Sequence, residues 1–247
     1  MQARTHSWTR LAAAVSIGLF SAACASTSAS VGTNSVSAYE MAVQSGEAFT
    51  VTVMRAGSPL ALPEGSALAE LTRDHQAFVE GMFDDGFLLS SGPLVAPRSD
   101  TSLRGFFFLD AADPEAAQAR VCEDPATEAG VFMTESMPFI CRQDLRAVPP
   151  IERGFRMQRG NDEMVVRPYV AVTVETSVAS SAVMDQLGED LIFCGDVTGG
   201  SMEGQSICIL DCTSVAEARA AINSVTSAIN EFTFHPWVSS TSLAELN

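Results

Sequence analysis

RGFFFLDAADPEAAQARV, from Arg104 to Val121, and EGQSICILDCTSVAEARAAI, from Glu203 to Ile222, follow one pattern, and that pattern decides the fold. Each opens with an apolar run of strand length, turns at an aspartate, and continues into alanine-rich sequence with apolar residues at helical spacing. In the first stretch Asp113 stands as the helix cap, with Pro114 at the first helical position, where its missing N–H costs nothing. Working outward, GFLLSSG (Gly86 to Gly92) faces EDLIFCG (Glu189 to Gly195), and Met-Pro-Phe-Ile from Met137 faces His-Pro-Trp-Val from His235. Several landmarks at a nearly fixed offset are those of an internal duplication, at a period far longer than any solenoid repeat.

The elements around these landmarks complete two copies of a β-α-β-β-α-β order. FTVTVMR (Phe49 to Arg55) alternates at period two and reads as a strand, and Ser66 to Phe83 has helical spacing with Ser66 as its cap. Strands follow at Phe87 to Pro93 and Arg104 to Asp110, then a helix over Asp113 to Asp124. Val131 to Ile140 is the next strand, with Pro138 marking an edge or a bulge. The second copy runs through a strand at Val166 to Glu175, a shortened helix from Val178, strands at Asp190 to Gly195 and Gly204 to Asp211, a helix from Thr213 and a last strand at Glu231 to Ser239. Ala147 to Asp162, with Pro149, Pro150, Gly154 and Gly160, reads as the linker. The expected organisation is therefore one unit over 48–146, a linker over 147–163 and a second unit over 164–247. Each unit has an apolar sheet face to bury.

The N-terminus belongs to neither unit. Arg4 and Arg10 precede LAAAVSIGLF, an uncharged run too short to span a bilayer, so residues 1–24 read as a signal peptide. Ser21-Ala22-Ala23-Cys24 is similar to the lipobox at which bacterial lipoproteins are cut and acylated on cysteine, although Ser21 stands where leucine is usual. Lipidation at Cys24 and plain secretion with cleavage after Ala23 or Ala25 are both open, and lipidation is favoured by the Ser/Thr-rich stretch 25–47, which suits a tether. The expected location is the periplasm, or the outer membrane through that lipid alone.

A net charge of −16, with no cluster of basic residues, argues against nucleic acid as a partner. The cysteines are Cys24, Cys122, Cys141, Cys194, Cys208 and Cys212, with no C-x-x-C pair, and the unit region has only His75 and His235. No metal site and no cofactor is expected from such a set. A hairpin about the glycine-rich turn Gly199 to Gly204 would set Cys194 near Cys208 on adjacent strands, and they read as buried thiols. That turn lacks the spacing of a phosphate loop or a nucleophile elbow. His235 reads as structural. Phe106, Phe107 and Phe108 divide between the two faces of a strand, so core accounts for at least part of the run.

The first unit resembles the YciI-like, or YCII-related, family over about Phe49 to Cys141. The residues that carry the resemblance are His75 within RDHQAFV, Gly86-Phe87-Leu88-Leu89 leading to Gly92-Pro93-Leu94, Arg104-Gly105-Phe106, Ala116 with Ala117, and Asp124-Pro125 followed by Ala129-Gly130. The resemblance implies a ferredoxin-like α+β fold that pairs sheet to sheet into a dimeric α+β barrel, here within one chain, which predicts a monomer. It also implies a polar dyad, His75 with Asp124, and relatives that act on small, often aromatic, molecules. The carboxylate would orient the imidazole and fix its tautomer, as proton abstraction requires. In the second unit the nearest counterparts are Val178 and Asn223, so that copy is degenerate. Two functions follow: a small-molecule-binding or transforming protein using the dyad, and a non-catalytic envelope module for binding or scaffolding.

Overall fold

The computed structural model describes residues 48–246 apart from 162 and 180; the expected signal peptide, Cys24 and the tether lie outside the described residues. The elements run β1 (Ala48–Ala56), α1 (Ser66–Asp84), β2 (Leu88–Pro93), β3 (Leu103–Leu109), α2 (Pro114–Val121), α3 (Pro125–Glu128) and β4 (Phe132–Cys141). They continue through α4 (Val148–Arg159), β5 (Val166–Glu175), α5 (Ser181–Met184), β6 (Leu191–Val197), β7 (Gln205–Leu210), α6 (Val215–Val225) and β8 (Thr233–Ser240). All eight strands form one antiparallel sheet in the order β2-β3-β1-β4-β6-β7-β5-β8. The sheet curls until its outer strands meet, which makes it a near-barrel. At that seam Leu94 bridges to Trp237, the Val95 N–H donates to the Pro236 carbonyl at 2.9 Å, and Trp237 Nε1 donates to the Gly92 carbonyl at 2.8 Å.

Closure turns one face of every strand inward, and aromatic side chains fill that interior. Phe108 lies 5.4 Å from Phe139, 4.9 Å from Phe193 and 6.2 Å from Trp237 between ring centres, the last two edge-on, as ring quadrupoles prefer. Phe106, Phe107 and Phe108 are all buried, so the run is core and lines no pocket described here. The small-to-large contrast matters as well. A Cβ on Gly195 would come within 2.3 Å of the Phe139 ring, so only glycine lets β6 pass there. A second apolar layer, with Val170, Val172, Cys208, Leu210, Ala218 and Ile222, packs α6 onto the outer face of the sheet.

Several expectations change in detail. Gly65, at φ 61°, occupies the cap position of α1, and Ser66 is already helical. The helix expected to reach Asp124 stops at Val121, and Asp124 instead caps α3. Pro138 sits in no bulge: β4 pairs with β1 along its length and joins β6 through Phe139–Cys141, with Pro138 just before that short ladder. The connection between the halves is an amphipathic helix, α4, whose Glu152 is fully buried and accepts from Arg159 at 3.1 Å, from Arg156 at 3.4 Å and from the Ser240 hydroxyl at 2.6 Å. Cys194 and Cys208 are not thiols. They pair directly across β6 and β7 and form a disulfide, because beyond the bulge at Leu191–Phe193 the register sets Cys194 opposite Cys208 on the same face of neighbouring strands. Cys141 and Cys212 are buried free thiols, and burial pushes each up to about 12.

Candidate active site

His75 lies in the middle of α1, on the side turned toward α3 and the start of β4. Its Nδ1 is 2.8 Å from Asp124 Oδ1, and the two side chains are 22% and 1% exposed. The sequence placed these residues 49 positions apart on separate elements, and the structure brings them into hydrogen-bond contact.

The local chemistry of the Asp-Pro pair explains why the aspartate is so firmly held. Pro125 starts α3 at a position where a missing N–H is harmless, and the residue before a proline is held extended, as Asp124 is at φ −61°, ψ 125°. In that conformation the carboxylate folds back over the helix start. It accepts from the Ala126 N–H at 3.4 Å, the Thr127 N–H at 3.2 Å and the Thr127 hydroxyl at 2.9 Å, besides His75. Burial alone would raise the Asp124 pKa. The His75 hydrogen bond and charge, the Thr127 hydroxyl and the Ala126 amide outweigh it, and the carboxyl is held below its usual 3.8. Asp124 is therefore an anion and only accepts hydrogen bonds.

That protonation state decides the state of the imidazole. Facing a carboxylate, Nδ1 must carry the proton, so in the neutral ring Nε2 is the basic nitrogen. The Phe132 ring stands 5.6 Å from the imidazole, tilted by 58°, and forms an apolar wall beside it. Such an arrangement leaves Nε2 as the nitrogen able to accept a proton. Thr127 and Phe132 were not singled out from the sequence. An Asp-Pro-x-Thr start to a helix is itself a capping pattern and would have flagged Thr127, whereas only register relates Phe132 to His75.

Among the described residues of the second half there is no such pair. Asn223 is exposed on α6, and Val178 packs against the outer apolar layer. His235 is 2% exposed, with Nδ1 3.1 Å from the Ser99 hydroxyl and Nε2 3.3 Å from the Thr173 hydroxyl. Burial depresses its pKa, with the Asp100 charge opposing. Both ring nitrogens are engaged, which leaves no nitrogen for a substrate. Neither the surface depression of about 460 Å³ between α4 and the C-terminal turn nor the small cavity at the β2–β8 seam touches His75 or Asp124. Among the described residues no three His, Cys, Asp or Glu side chains converge as metal ligands would.

Residues 50–139 match the family model of the YCII-related domain, and both dyad residues fall inside the match. No curated protein matches the chain. A crystal structure of the siroheme decarboxylase NirDL is similar at 11% identity and a TM-score of 0.36, with 78% of this chain and 71% of that chain covered.

Proposed function

Taking residues 50–139 as a YCII-related domain, we propose that it binds a small molecule beside His75 and moves a proton at His75 Nε2. Asp124 orients the ring and stabilises its cation, and Phe132 offers an apolar surface to the ligand. The observation that carries this reading is the 2.8 Å contact between Nδ1 and a carboxylate already fixed by three other donors. A carboxylate kept only as a helix cap has no need of an imidazole partner.

The wider reading is an exported chain built as two tandem ferredoxin-like units, which form an intramolecular α+β barrel and leave the second unit without a site. The strand order supports it, since β2-β3-β1-β4 is repeated by β6-β7-β5-β8. The Cys194–Cys208 disulfide supports export, because such bonds persist in oxidising compartments. The acylated Cys24 and the monomeric state belong to the same proposal.

Diethylpyrocarbonate, which acylates neutral imidazole nitrogen, tests the site directly when the modified histidines are read by peptide mass spectrometry. His75 should react fastest among the histidines of the folded units, while His235 stays protected. Asp124→Asn should slow His75 by several-fold. Equal rates in wild type and variant would refute a carboxylate-supported base.

A further inference from the structure

Arg98, in the loop between β2 and β3, and Arg104, at the start of β3, lie near each other in a chain that is strongly acidic. The chain has no lysine, so arginine alone supplies its fixed positive charge, and the net charge is −16. Arg73, Arg120, Arg146, Arg156, Arg159 and Arg167 all meet carboxylates. Arg98 and Arg104 instead point their guanidinium groups at backbone carbonyls. Arg98 Nε donates to the Leu94 carbonyl at 2.9 Å, and one Arg104 terminal nitrogen donates to Thr101 at 2.5 Å and Leu103 at 3.3 Å.

The backbone ties both residues to Leu94. Leu94, whose carbonyl holds Arg98, donates its own N–H to the Arg104 carbonyl at 2.7 Å. The nearby carboxylate, Asp100, is already engaged by Arg55 at 2.9 Å and by the Ser102 N–H and hydroxyl at 2.8 and 2.7 Å. Arg55 therefore takes the carboxylate, and Arg98 and Arg104 keep carbonyl partners. Burial, and after it the Arg98 charge, pushes the Arg104 pKa down, with the Asp100 charge opposing. The loop is also fixed in place. Val95 bonds Pro236 across the seam, Ser99 bonds His235, and the Ser102 carbonyl accepts from Ala56.

We propose that Arg98, in the loop between β2 and β3, and Arg104, at the start of β3, form a binding site for an oxyanion, a phosphate or carboxylate group carried by a small ligand. Each guanidinium has five N–H donors and spends only one or two on carbonyls, so a planar fork remains for bidentate contact with an oxyanion. The anion would complete the local charge balance without displacing an existing ion pair. This site is independent of the His75 dyad and stands or falls separately from it.

The test is a titration of the full chain with inorganic phosphate and, in parallel, with acetate, at constant ionic strength, followed by ¹H–¹⁵N spectra. Saturable shifts confined to amides of residues 94–104 and the two arginine side chains are expected. Saturation by phosphate alone assigns a phosphoryl ligand, and saturation by both assigns oxyanions in general. Arg98→Gln should weaken binding about tenfold, the loss of one charge-assisted contact, with Arg98→Lys intermediate. Arg104→Gln serves as the second variant, and unchanged thermal melts certify that either is folded. Shifts that grow linearly and spread over the surface would overturn the site, as would undiminished affinity in a folded Arg98→Gln.

Discussion

Replacing Asp124 by alanine removes the acceptor shared by the α3 cap and the His75 ring. Loss of a side-chain cap costs about 1 kcal/mol. The Thr127 hydroxyl and the His75 N–H lose a charged partner in a half-buried setting, which adds about 1–2 kcal/mol. The expected total is about 2–3 kcal/mol, or a fall of about 5–10 °C in Tm for a folded region of this size. Asp124→Asn keeps a good capping residue and should cost only about 1 kcal/mol. Its pH dependence has a definite sign. The folded carboxyl titrates below 3.8, so its stabilisation is complete above that value and is lost as pH falls through the folded value. Urea unfolding of wild type and both variants, from neutral pH downward, would measure all three quantities. A loss under about 0.5 kcal/mol in Asp124→Ala would refute the hydrogen-bond network as described.

His235 should give the chain a separate acid sensitivity. Its folded pKa is depressed below 6.5, so stability is greatest above that value, falls as pH drops through it and levels off below the folded value; His235→Gln should flatten this segment of the urea-midpoint profile. Cys194→Ala with Cys208→Ala, opening a link across 14 residues, should cost about 3 kcal/mol by denaturant unfolding, and an unchanged midpoint would contradict a formed disulfide. Glu152→Ala should cost about 2–3 kcal/mol in the same assay, because it takes the buried charged partner from Arg156, Arg159 and the Ser240 hydroxyl, which keep only Asp84, the Glu163 carbonyl and Ser242, while Glu152→Gln should recover part of the loss.

The alternation of Phe49 to Arg55 and the capped run at Asp113 were legible because period and capping are local properties. The helix at Val148–Arg159 was not, although the reason is also local. Pro149 and Pro150 lie in its first turn, where their missing N–H groups have no partner to lose, and Gly160 is its left-handed C-terminal residue at φ 68°. Residues that read as linker punctuation are the ends of a helix. The Cys194–Cys208 bond turned on a single residue of register, which sequence does not carry. His75 and Asp124 were legible through their resemblance to family positions, whereas the hold of Thr127 on Asp124 depends on how α3 starts.

The central claim is that Asp124 accepts a proton-bearing Nδ1 and leaves His75 Nε2 as the base. Long-range ¹H–¹⁵N correlation spectra of His75, recorded at about pH 9 where imidazoles are neutral, report directly which nitrogen is protonated. The Nδ1–H tautomer is predicted in the wild type, with a shift toward Nε2–H in Asp124→Ala. A dominant Nε2–H tautomer in the wild type would contradict the account.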